Sequence, residues 1–140
     1  TIQGTWTLTG ASKLQATYAD LAEYYEADQT YESGTVLEFG GEKEVTTTNI
    51  KNDTRVAGVV SNTAAYTMYE ACPGFKNLVA LQGRVPCLVK GSVKKGDMMI
   101  SAGQGYARAE ANPKIGTVIG KGLENHEGNE GVIEVVVGRF

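Results

Sequence analysis

The 140 residues include one histidine, one tryptophan, two cysteines and three prolines, and each scarcity removes a class of chemistry. Any Ser-His-Asp or Cys-His catalyst would have to use His126. That residue sits in a polar run, Glu124-Asn125-His126-Glu127-Gly128, with no apolar anchor to hold a ring, and reads as a solvated surface histidine. Cys72 and Cys87 lie outside any Cys-x-x-Cys spacing and have no histidine partners nearby in sequence, so no zinc ligand set exists. The glycines of residues 116–122 lack the P-loop spacing before Lys-Ser/Thr and the dinucleotide fingerprint, which excludes a phosphate cradle. No metal and no cofactor are therefore expected. Thirteen Lys and Arg against sixteen Asp and Glu, a net charge of -3 and a pI near 5.2 give no basic footprint for nucleic acid. No apolar run approaches the ~20 residues of a membrane span. The opening residues have neither a basic n-region nor an apolar h-region. The expectation is a soluble chain, or a piece of a longer one, with no nucleic acid and no membrane among its partners.

What the chain has in quantity is glycine, eighteen residues, together with Val and Thr. That composition favours strands and tight turns over helices. Ile2, Gly4, Trp6 and Leu8 alternate with Gln3, Thr5, Thr7 and Thr9, the pattern of a half-buried strand, in which Trp6 is expected as a packing anchor. Val36-Leu37-Glu38-Phe39 faces residues 43–46 across Gly40-Gly41 as a hairpin. Residues 54–61 form a mostly buried strand with Gly58 allowing close backbone approach, and residues 78–89 a longer one bent at Gly83 and at Pro86, which is placed at an edge or corner. Residues 98–101 pair with 105–108 across residues 102–104, and 118–119 and 132–137 supply the closing strands. The last of these is too apolar to be left bare. The fold class predicted is all-β, a compact barrel or two packed sheets built from eight to ten short strands and hairpins. An N-terminal strand (1–15) precedes a single β domain (16–140), a length that one domain fills.

One segment resists this reading. In Tyr18-Ala19-Asp20-Leu21-Ala22-Glu23-Tyr24-Tyr25-Glu26, period two gives no clean core face, while the Ala, Leu and Glu content suits a short helix. Local physics leaves both open. Its wording, however, resembles the Asp-Tyr-Ala-Glu-Tyr-Phe-Glu signature of C-terminal domains of bacteriophage tail fibre and neck appendage proteins. The resemblance continues in order through Ser33-Gly34-Thr35-Val36-Leu37, Arg55-Val56-Ala57-Gly58-Val59-Val60-Ser61, Leu81-Gln82-Gly83-Arg84-Val85 and Val93-Lys94-Lys95-Gly96-Asp97, covering residues 16 to 120. It implies a virion structural protein, a homotrimer that meets other virion proteins and touches a host surface glycan or protein. It also implies that residues 1–15 end a fibre shaft, and that the two cysteines, in a chain assembled in a reducing cytoplasm, stay unpaired. Some relatives are self-cleaving maturation domains, and that resemblance makes Asp20 and Glu23 the candidate catalytic carboxylates. The ordinary reading of the same acids is architectural: hydrogen bonds to backbone N–H groups, or pairing with Arg55 or Arg84.

A second candidate site comes from the residues themselves. Residues 64–75 carry Tyr66, Met68, Tyr69 and Phe75 around a Cys72-Pro73-Gly74 turn without the alternation of a sheet. They are read as an exposed aromatic loop, with Tyr66, Tyr69 and Phe75 as binding residues. A glycan-binding β module is the competing function; an end plug or subunit contact is the competing role for the rings.

Overall fold

The computed structural model describes residues 19–50 and 52–138. The expected strand around Trp6, and with it the shaft-like segment 1–15, lies outside the described residues. Within them the chain forms ten strands and no helix. These are β1 (Asp20–Ala27), β2 (Val36–Phe39), β3 (Val45–Thr47), β4 (Val56–Val60), β5 (Ala64–Met68), β6 (Phe75–Lys90), β7 (Met98–Gly103), β8 (Tyr106–Ala109), β9 (Val118–Gly122) and β10 (Glu130–Val137).

All ten belong to one continuous hydrogen-bonded sheet, folded on itself because β6 is long enough, at 16 residues, to serve two neighbourhoods. Its first half pairs antiparallel with β1, its second half with β10. One circuit runs β6–β4–β2–β3–β1 and back to β6; the other runs β6–β8–β7–β9–β10 and back. Each circuit is completed by a single residue pair, Ala27 with Val45 in the first and Val89 with Ala107 in the second. The result is packed sheets rather than a clean barrel.

Two apolar clusters form the interior. Val36, Val56, Val59, Val85, Cys87, Met99 and Ile133 belong to the larger, and Leu37, Val45, Ala57, Val60 and Val79 to the smaller. Every residue of β4 is buried, so this strand separates the two clusters and is apolar throughout instead of alternating. Gly58 lets it lie there: a Cβ at that position would run into the Ala80 carbonyl and the Val79 side chain of β6.

The two predicted hairpins form. Phe39 pairs with Val45, and Gly103 with Tyr106 across Gln104-Gly105, where positive φ at Gln104 (55°) fits the primed turns that join twisted strands. The ambiguous segment is a strand, β1, because antiparallel pairing with β6 over all eight residues outweighs a weak helix propensity. The bend at Gly83 is present as a φ of 107° at the residue that pairs with both Asp20 and Val137.

Two expectations change. Pro86 sits inside the central strand rather than on an outer one, yet on a local edge: it falls between the β4 pairing, which ends at Ala80, and the β8 pairing at Val89, where that flank of β6 meets the Gly34 loop. Residues 64–75 are not all loop, since Ala64–Met68 pairs parallel with β1 as β5. The apolar closing strand β10 is covered within the chain by β6 on one edge and β9 on the other, leaving Val132 exposed while Ile133, Val135 and Val137 are buried. Both cysteines are free, and complete burial pushes the Cys87 thiol up to about 12, which leaves it inert.

Candidate interaction surface

The sheet ends at β5. This strand hydrogen-bonds to β1 on one side and to no described strand on the other, so among the described residues its outer N–H and C=O groups form an open edge. Its neighbourhood holds the three aromatic residues singled out from sequence. Tyr66 lies on β5 opposite Leu21, Tyr69 just beyond the strand end, and Phe75 opposite Ala27 at the start of β6. Their relative exposures are 64%, 53% and 57%, far above the buried rings of a core. Tyr69 also adopts a φ of 61°, a conformation uncommon for a bulky residue, and its carbonyl accepts the Cys72 N–H at 3.1 Å to close the turn. The chain thus spends backbone strain to present a tyrosine to solvent.

Beside this flank is a groove of about 580 Å³. It is lined by Thr30, Tyr31 and Ser33 of the β1–β2 connector together with Tyr24, Asn62 and Thr67. The Lys76 ammonium lies 4.5 Å from the centre of the Tyr24 ring and donates to the Glu70 carbonyl at 2.6 Å. Among the lining residues, buried Asn77 accepts the Tyr31 N–H at 2.8 Å and donates to the Gln29 carbonyl at 2.9 Å, which straps the connector onto β6. Nothing in the sequence marks this groove, because its walls come from four separated segments and its lysine is one of several scattered along the chain.

The candidate carboxylates are placed differently from each other. Asp20 is buried, and its Oδ1 accepts the Thr63 hydroxyl at 2.9 Å while Oδ2 has no partner. Burial raises its pKa, against the lowering effect of hydrogen bonds from Ser61 and Thr63. Glu23 is half-buried in mid-strand, opposite Val79 and Met68. No described hydrogen bond joins the two acids. Neither pairs with the arginines proposed for them: Arg55 binds Glu38 and Asp53, and Arg84 lies 3.7 Å from Glu134. The hydrogen bonds of Asp20 come instead from hydroxyl groups of the β4–β5 connection.

No family model and no curated protein matches the chain. Among solved structures it is similar to the C-terminal fragment of bacteriophage phi29 gene product 12, at 19% identity and a TM-score of 0.62 over 84% of this chain and 99% of that one. The pre-mature phi29 gene product 12 aligns at 18% identity and a TM-score of 0.64 over 86% of this chain, which spans only 21% of that longer protein. The N base of the phi29 head fiber gp8.5 aligns at 15% identity and a TM-score of 0.50 over 85% of this chain and 94% of that one. The likeness read from the Asp20-to-Glu26 motif therefore extends to the fold, which this chain shares with bacteriophage appendage proteins.

Proposed function

We propose that this chain is an oligomer-forming structural domain of a phage virion appendage, with the β5 flank as its contact surface. The observation that carries the reading is the open β5 edge with Tyr66 and Tyr69 exposed on and beside it, on a fold shared along almost the whole length of the gene product 12 C-terminal fragment. An unpaired edge flanked by aromatic rings is a liability for an isolated domain and an asset for one that assembles. Cyclic symmetry is the economical way to cover such a surface with identical copies, and a homotrimer is the expected state. Multi-angle light scattering of the 140-residue chain is expected to give three times the monomer mass. A clean monomer at tens of micromolar overturns the assembly reading.

The rings that the assembly leaves exposed are the host-facing candidates, with a surface glycan or protein as the ligand. Tyr66→Ala together with Tyr69→Ala is expected to weaken attachment of the assembled appendage to host cells while changing stability by no more than about 0.5 kcal/mol, as for exposed positions generally. Loss of the trimer in that variant would assign the rings to the subunit interface instead. A large fall in melting temperature with the trimer intact would assign them to packing within the chain.

A further inference from the structure

Two acids and one guanidinium meet where β2 ends and β4 begins. The Glu38 carboxylate lies 2.8 Å from an Arg55 terminal nitrogen, and Asp53 Oδ1 accepts the Arg55 backbone N–H at 2.8 Å with the Arg55 Nε 3.6 Å away. Both acids are almost inaccessible, Glu38 at 4% and Asp53 at 1%. Each keeps one buried oxygen without a partner, Glu38 Oε1 and Asp53 Oδ2. One guanidinium cannot balance two buried carboxylates, and an acceptor left without a donor is costly in a water-poor site.

A bound divalent cation does not account for the arrangement. Hard cations take six or more oxygen ligands, this site offers two free ones, and Arg55 already sits against the same carboxylates. Among the described residues no set of three metal-ligating side chains exists. A single proton satisfies the geometry: held by one acid, it donates to the other and leaves one negative charge facing Arg55.

We propose that Glu38 and Asp53 share a proton and thereby act as a pH-sensitive latch that fixes the β3–β4 connector against the end of β2. The groups facing Glu38 from each neighbouring element are few. The β3–β4 connector contributes Arg55, Asp53 and the Asn49 backbone, and β3 sets the neutral Thr46 opposite it. The connector also reaches the second circuit, where the buried Ser101 hydroxyl donates to the Ile50 carbonyl at 2.9 Å, so an open latch would be felt on β7. Burial, then the hydrogen bond and charge of Asp53, push Glu38 up to about 7, against the opposing pull of Arg55 and Asn49.

The sign follows from linkage. The folded chain holds the Glu38 proton more tightly than the unfolded chain does, so the stabilisation is complete below about 4.5 and is lost as the pH rises through 7. Thermal unfolding between pH 5 and 8 is expected to show a falling melting temperature, with carbon-detected NMR of the Glu38 carboxyl titrating near neutrality. Glu38→Gln, whose amide donates to Asp53 without a proton to lose, is expected to flatten most of that slope; the remainder belongs to Asp20 and Glu134, whose pKa values are also raised. Titration of Glu38 in the ordinary carboxylate range overturns the proposal, and this readout stands even where the variant fails to fold. A rise in melting temperature on adding millimolar calcium or magnesium at pH 8, absent in Glu38→Gln, also overturns it, in favour of a cation.

Discussion

Replacing Gly58 with alanine is expected to cost about 3 kcal/mol, at the upper end of what overpacking removes from a filled core. The new methyl would meet the Ala80 carbonyl and the Val79 side chain, and neither can retreat: Val79 and Ala80 are fully inaccessible and paired with both β1 and β4. The effect should spread because β4 serves two interiors. Moving it outward from β6 withdraws Val56 and Val59 from one apolar cluster and Ala57 and Val60 from the other. Urea denaturation should therefore show a lowered midpoint with an unchanged slope, as a loss of native stability without a change in the surface exposed on unfolding. A cost below about 1 kcal/mol would show that the two strands can separate locally, and that close approach at Gly58 is incidental to the fold.

The Gly58 contact is also where the sequence is easiest to read, because a glycine within a run of buried valines marks a backbone that passes too close for a side chain. The hairpins around Gly40-Gly41 and Gln104-Gly105 are legible for a related reason: turn chemistry is local, and two to five residues carry it. Exposure of Tyr66, Tyr69 and Phe75 follows from the missing alternation around them. What stays hidden depends on partners distant in the chain. β5 reads as loop because its strand character comes from parallel pairing with β1, more than forty positions earlier at the Asp20–Ala64 pair, and short strands without a clean face borrow stability from such neighbours. β1 is ambiguous for the same reason, since a strand paired on both edges need not present one apolar face. Pro86 misleads because an edge is a property of one flank of a strand over a few residues, and β6 changes partners just there.

The Glu38 and Asp53 pair is illegible in a stronger sense. Within Val36-Leu37-Glu38-Phe39 the acid occupies the place of a solvent-facing residue, and the Asn52-Asp53 dipeptide reads as an ordinary turn. Only the fold, by bringing the connector back across β2, makes the two carboxyls neighbours. The candidate catalytic acids show the converse: Asp20 and Glu23 are close in sequence and make no described hydrogen bond with each other. Proximity along a strand does not create a site, because successive side chains take different faces and different surroundings.

Asn77→Leu is expected to cost roughly 2–4 kcal/mol, from two backbone groups left without partners in a site that water enters poorly. The amide is 3% exposed and bonds the Tyr31 N–H and the Gln29 carbonyl at once, so it satisfies a donor and an acceptor that no strand reaches. Leucine keeps the branched heavy-atom skeleton of the amide with bulkier ends and offers neither bond, so the polar loss comes without a cavity. Native-state hydrogen exchange gives the decisive measurement: protection of the Tyr31 amide should fall to that of a surface loop in Asn77→Leu. Retained protection with a cost under about 1 kcal/mol would mean that water or a shifted connector replaces the amide. The consequence reaches the interaction surface, because Thr30, Tyr31 and Ser33 line the 580 Å³ groove and Asn77 holds the Gln29–Tyr31 backbone beside it. The Tyr31 hydroxyl adds bonds to Asp28 at 2.7 Å and Thr46 at 3.2 Å, and the Gly34 N–H is held by the Val60 carbonyl at 2.8 Å, so the loss is confined to the Gln29–Tyr31 part of the connector. Any partner that reads the groove should therefore lose affinity in Asn77→Leu beyond what global destabilisation explains, whereas one that reads only the β5 edge and Tyr66 should bind the folded fraction unchanged.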